Sequence, residues 1–195
     1  MLALLDFDEF HDVLLDATRD LLVHVRQEYE NRQLYAFYLF HDPLWGFIVP
    51  RMSIEGGIKP LPKLGYVIKQ AINLALRTAS AQPKIQTDQH PHDFNVAHRV
   101  GREYFEDVNM WLLRAQFYRV TFNHKQMQQY HRTMTAIAID ALQALDKRGL
   151  FGDETQRQDT VVNLVMLKDP DREWIHTARE LNPPEVYQRW IKEMG

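Results

Sequence analysis

The chain has 195 residues, with 23 lysines and arginines against 26 aspartates and glutamates, a formal charge of −3 at pH 7, and no cysteine. That length buries enough surface for one domain without a metal or disulfide staple. The mixed charge excludes a basic tail or stripe for nucleic acid. The lack of cysteine excludes thiol nucleophiles, cysteine-ligated zinc and iron–sulfur clusters, and agrees with a reducing compartment.

The opening MLALLDFDEF has neither the charged start nor the long apolar stretch of a signal peptide. No apolar run approaches the roughly 20 residues of a membrane helix. The expectation is a cytoplasmic protein with no membrane and no nucleic-acid partner.

A first helix is predicted from about Asp8 to Glu30, with Phe10, Leu14, Ala17, Leu21 and Val25 on one face and Asp6 capping the Glu9 amide. LYAFYLF and FIVPRM then read as the strands Leu34–Phe40 and Phe47–Met52 of a hairpin, joined through HDPLWG. Pro50 has no N–H to give a ladder, so the second strand ends there or lies at a sheet edge. Gly56 and Gly57 mark a loop, Leu64–Thr78 a helix, and Ala79–Asn95 a polar exposed loop. The region at about 61–95 thus reads as a helical insertion with an exposed loop in a single domain spanning 1–195.

A helix from about Arg102 to Tyr118 buries Phe105, Val108, Leu112 and Ala115. Another starts at the cap Asn123, with Gln126 three residues on, and reaches Lys147 before Gly149; its inner face is Met127, Tyr130, Met134, Ile137, Ala141 and Leu145. TVVNLVML is apolar enough to be buried on both faces and is expected as the central strand. A short helix to Glu180 follows. Asn182 as cap, Pro183 in the first turn and Glu185 then start a final helix that docks through Val186 and Trp190. The fold class expected is α+β, approaching α/β: a small sheet built from the hairpin and the late buried strand, covered by several helices.

For chemistry, HPHDFNVAHRVGREYFED is the densest stretch. His90, His92 and His98 with Asp93 or Glu103 have the donor types for zinc, but Pro91 and the lack of an HExxH spacing favour a solvated linker running into a helix. His124 and His131 lie two helical turns apart on one side, without the Glu-x-x-His pair of a dinuclear site. Glu28 and Glu30 facing Glu103, Glu106 and Asp107 would be a carboxylate pair for glycosidic cleavage; helical carboxylates more often face water. Ser53 and Ser80 sit in no GxSxG elbow, and GDET after Phe151 is no phosphate loop. The aromatic hairpin offers the stronger hint. Alternation sends Tyr35, Phe37 and Leu39 to one face and Tyr38 with Phe40 to the other. One set is core, while Tyr38, Phe40, Trp45 and Phe47 are candidates for a protein contact.

The two ends read together carry a resemblance. Tyr35-Ala36-Phe37 follows a first helix. Far downstream come Leu150-Phe151-Gly152 with Arg157, the apolar Val161–Leu167 before Asp169-Pro170, and Leu181-Asn182-Pro183-Pro184-Glu185-Val186. This pattern resembles the bacterial family known as domain of unknown function 4303. It is close over the last third and departs in the middle, where Met52-Ser53-Ile54-Glu55-Gly56-Gly57 replaces the family's Asn-Thr-Glu-Glu helix start. The resemblance brings no catalytic residues and implies no cofactor. Similar small bacterial α/β proteins neutralise toxins used between competing cells, which suggests an immunity-like binding role. The expectation is therefore a non-enzymatic protein-binding domain. The alternatives are a metal-dependent or His/carboxylate hydrolase using the histidines above, and a structural unit that associates with itself.

Overall fold

About four turns of apolar side chains at steps of three and four seat the first helix. In the computed structural model, which describes residues 4–29, 32–42, 44–54, 103–166 and 173–194, this helix is α1 (Phe7–Glu28), and Phe10, Leu14, Ala17, Leu21 and Val25 are all buried. Asp6 accepts the Glu9 amide at 3.0 Å, as its position before the acidic first turn requires. The expected helix and loop between Leu64 and Asn95 lie outside the described residues.

Strand β1 (Leu34–His41) pairs antiparallel with β2 (Ile48–Ile54), with Phe37 opposite Met52 and His41 opposite Ile48. The late apolar run forms β3 (Val161–Met166), parallel to β1, with Ala36 opposite Val161 and Phe40 opposite Val165. The order is β2-β1-β3. This corrects the expectation that the late strand is central: β1 holds that place and β3 is an edge. Pro50 lies on the edge strand β2, which runs on to Ile54, so its missing N–H deprives no neighbour.

Alternation along the strands divides the interior in two. Phe37, Leu39, Ile48, Met52, Val162 and Leu164 pack with α1 and with α2 (Glu106–Arg119) and α3 (His124–Lys147). Ala36, Tyr38, Phe40, Val161 and Val165 instead face Ala178, Val186 and Trp190 of α5 (Glu173–Leu181) and α6 (Pro184–Met194). The sheet thus carries helices on both faces. Helix α3 starts on the full capping box that Asn123 and Gln126 predict. The chain leaves it at Gly149, whose φ of 71° suits a residue without a Cβ. Between α3 and β3 lies the four-residue α4 (Glu154–Arg157), capped by Asp153.

An edge strand with unpaired backbone groups needs partners, and β3 finds them in side chains. The Asn182 amide accepts the Val162 N–H at 2.8 Å and donates to the Val162 carbonyl at 2.7 Å, standing in for one residue of a neighbouring strand. Its second amide hydrogen goes to the Ala178 carbonyl at 2.7 Å. This corrects the reading of Asn182 as the cap of the last helix: α6 begins at Pro184, and the Pro183 carbonyl accepts the first helical bond from Tyr187. One position along, Asn163 Oδ1 accepts the Leu164 amide at 2.9 Å, and the Thr177 hydroxyl lies 2.8 Å from the Leu164 carbonyl.

Arg157 ties α3, α4 and the α5–α6 turn to this edge. Its Nε donates to both carboxylate oxygens of Asp146 at 2.8 and 3.0 Å. Nη1 reaches the Thr160 carbonyl at 2.5 Å and Nη2 the Leu181 carbonyl at 2.7 Å. A buried guanidinium is tolerable when its nitrogens are used in this way.

Candidate functional site

The polar turn HDPLWG ends β1 and brings ionisable groups into the core. His41 is buried at the last position of the strand, with Nδ1 3.0 Å from the Asp42 carbonyl. A carbonyl oxygen only accepts, so Nδ1 carries the proton and the ring is the Nδ1–H tautomer. Trp45 lies flat against it, ring centroids 3.8 Å apart and planes 17° apart. To reach that stack Trp45 takes a φ of 51°, the left-handed region that side-chain-bearing residues rarely adopt. The Asp42 carboxylate holds the turn by accepting the amides of Gly46, Phe47 and Leu44. A Cβ at Gly46 would come within 3.0 Å of Gln116 Nε2, so α2 approaches this turn closely.

Two further buried groups come from the helices, one of which meets the turn through Gln116 and Gly46. Arg119, the last residue of α2, is only 9% exposed. Its guanidinium carbon sits 5.8 Å from the ring centroid of the buried Tyr130 of α3. Phe7 and Phe122 flank the Tyr130 ring. Burial pushes the His41 imidazole down to about 3, opposed by its bond to the Asp42 carbonyl and assisted by the nearby His131. Burial pushes the Tyr130 phenol above its usual range, opposed by Arg119 and assisted by Asp42. Trp45 Nε1, Arg119 Nε and Nη1, and the Tyr130 hydroxyl are buried without a hydrogen-bond partner among the described residues.

The signal for this cluster was present in the chain. Phe105, Val108, Leu112 and Ala115 are spaced by three and four, and the next step is Arg119. The same periodicity that defines the apolar face therefore carries an arginine into the interior.

The four aromatics expected to form a contact surface lie elsewhere than on the surface. Tyr38, Phe40 and Trp45 are buried, and Phe47 is half-buried. The reason is the second layer of helices: Tyr38 and Phe40 pack beneath α6, where Trp190 Nε1 lies 3.2 Å from the Tyr38 hydroxyl.

Of the histidines, His90, His92 and His98 lie outside the described residues. His124, exposed at the start of α3, lies against Gln128 with their Nε2 atoms 3.1 Å apart. His131 lines an open groove of about 540 Å³ between α3 and α5, with Asp140, Glu173, His176 and Glu180, and His124 does not join it. Among the described residues no three histidine or acidic side chains gather closely enough to hold a metal ion. Glu28 pairs with His24 on its own helix at 3.1 Å, whereas Glu103, Glu106 and Asp107 are exposed on or just before α2. Glu30 lies outside the described residues.

One surface feature went unread in the sequence. The outer face of α2 exposes Met110 (53%), Leu113 (46%) and Phe117 (75%), and Val120 just beyond it is 84% exposed. These positions step by three, four and three, so they form one stripe opposite the buried face. Arg114 beside it pairs with Glu9 at 3.1 Å.

Among the described residues no helix is long and apolar enough to cross a membrane. No curated protein and no solved structure matches the chain. Residues 91–183, which include α2, α3, β3 and α5, match the model of the family described as Domain of unknown function (DUF4303). The cluster at Arg119 and Tyr130, the Arg157 anchor and the Asn182 seal all fall within those bounds, and this stretch of the chain belongs to that family, an uncharacterised bacterial domain.

Proposed function

We propose that this is a non-enzymatic protein-binding domain whose contact surface is the outer face of α2. The observation that carries this reading is the stripe Met110, Leu113, Phe117 and Val120, four large apolar side chains exposed side by side. Isolated exposed apolar residues are ordinary, but a contiguous stripe is the usual mark of a contact surface. The toxin-neutralising form of the reading comes from the resemblance to small bacterial immunity proteins, and it specifies a protein partner bound one to one.

The test is a binding titration against the product of a toxin gene next to this one, with the unsubstituted chain and with the double substitution Leu113→Glu, Phe117→Ser. A one-to-one complex that the double substitution abolishes, with unchanged thermal stability, supports the reading. Binding that survives the substitution overturns the assignment to α2. A dimer in light scattering that the same substitution dissolves assigns the stripe to self-association.

The groove between α3 and α5 favours a second reading, a His/carboxylate hydrolase, because His131, His176 and Glu173 line one open space. Hydrolysis of ester or glycoside test substrates that is lost in both His131→Ala and His176→Ala would favour it over the binding role.

A further inference from the structure

We propose that Arg119, Tyr130 and Trp45 form a binding site for a small monoanionic carboxylate at the end of the sheet. Among the described residues the Trp45 indole N–H has no acceptor, and neither do the Nε and Nη1 hydrogens of Arg119; the Tyr130 hydroxyl is also unpartnered there. All three residues are at least nine-tenths buried, so bulk water does not serve these atoms. Buried donors in a folded protein almost always find acceptors.

The three residues come from separate elements gathered round one turn. Trp45 is held by its backbone N–H, which donates to the Asp42 carbonyl at 2.9 Å. Gln116, one turn before Arg119 on α2, donates to the Gly46 carbonyl at 3.3 Å and so brings the end of α2 to the turn. Tyr130 lies under the Arg119 guanidinium. The ring contact offsets part of the cation's lost hydration, yet it accepts none of the in-plane N–H bonds.

The chemistry of the missing group follows from what surrounds it. Indole and guanidinium only donate, so the ligand must accept. A guanidinium asks for a planar oxyanion. One cation calls for one negative charge. Asp42 lies near enough to act on the Tyr130 phenol, and a dianion such as phosphate would meet its repulsion. Asp42 itself is occupied by the backbone amides of its own turn.

The test is a titration of the ¹⁵N-labelled full chain with sodium acetate, sodium chloride keeping the ionic strength constant. The Trp45 indole and Arg119 Nε resonances are followed. The expected result is a saturable shift of both with one dissociation constant. Arg119→Met should weaken binding by about 10-fold or more, and Tyr130→Phe by a few-fold, the loss of a charged and a neutral hydrogen bond respectively. A shift that does not saturate, or is absent, means that water alone fills the space and overturns the proposal. So does unchanged affinity in Arg119→Met, or tighter binding of inorganic phosphate than of acetate. The titration of the unsubstituted chain decides the question even where a substituted chain does not fold.

Discussion

Arg119 and Arg157 both enter the interior of this protein, and they are used in opposite ways. Arg157 spends its nitrogens on the Asp146 carboxylate and on the carbonyls of Thr160 and Leu181. Arg119 is as buried, but among the described residues its Nε and Nη1 have no acceptor, and it rests on the ring of Tyr130. The first welds α3, α4 and the α5–α6 turn to the edge of the sheet. The second carries a desolvation cost with no architectural return. A buried charge therefore reads as structure or as recognition according to whether its hydrogens are already taken.

The widest gap between them should appear on truncation. Arg157→Met strands the Asp146 carboxylate and two buried carbonyls, and should cost about 3–5 kcal/mol in chemical denaturation. Arg119→Met removes an unsatisfied charge and should cost under about 1 kcal/mol, or stabilise. Equal losses at the two positions would erase the distinction.

Acid should separate the two regions next. His41, beside the Arg119 end, is neutral in the fold with its pKa lowered to about 3, whereas the unfolded chain takes up the proton near pH 6.5. The unfolded state thus binds more protons between these values. Stability is lost as the pH falls from about 6.5 towards 3, by at most about 1.4 kcal/mol per unit. Urea midpoints between pH 7 and 4.5 should show this slope, and His41→Phe should flatten it. An unchanged slope in that variant would place the acid sensitivity elsewhere.

At the Arg157 end, Asn182→Ala leaves the Val162 amide and carbonyl unpaired and should cost about 2 kcal/mol. The counterpart on the opposite edge is Asn109, which accepts the Ile48 amide at 2.9 Å and donates to its carbonyl at 3.2 Å. Asn109 is less buried, so Asn109→Ala should cost about half as much in the same measurement. Smallest of all, Phe117→Ser on the exposed stripe should leave stability within about 0.5 kcal/mol, its effect falling on binding alone.

The local order of this chain was legible because it is written in periodicities. The face of α1, the capping box of α3 and the alternation that divides Phe37 from Tyr38 needed only spacing. Strand order was not legible that way. The run from Val161 to Met166, apolar except for Asn163, suggests a centre, and what buries it instead is a helix layer and a sealing asparagine contributed from about 20 residues downstream. Asn182 before two prolines looks like a helix cap, and only the folded arrangement shows its amide turned to Val162. The buried cluster was half legible: Arg119 continues the apolar register of its helix, but its meeting with Tyr130 and Trp45 depends on three elements that sequence spacing does not relate. Tyr38, Phe40 and Phe47 escape a sequence reading for a similar reason, since a second helical layer covers the sheet face they occupy, while Trp45 turns into the other core against His41.

The asparagine seals have a consequence for how partners are met. A foreign peptide recruited by β-augmentation needs a row of free amides and carbonyls along a sheet margin. On one margin Asn182 already occupies Val162, with Leu164 engaged beside it; on the other Asn109 occupies Ile48, and Pro50 has no hydrogen to lend. An incoming strand would have to evict side chains before it gained a bond, and the same closure guards the sheet against edge-to-edge polymerisation.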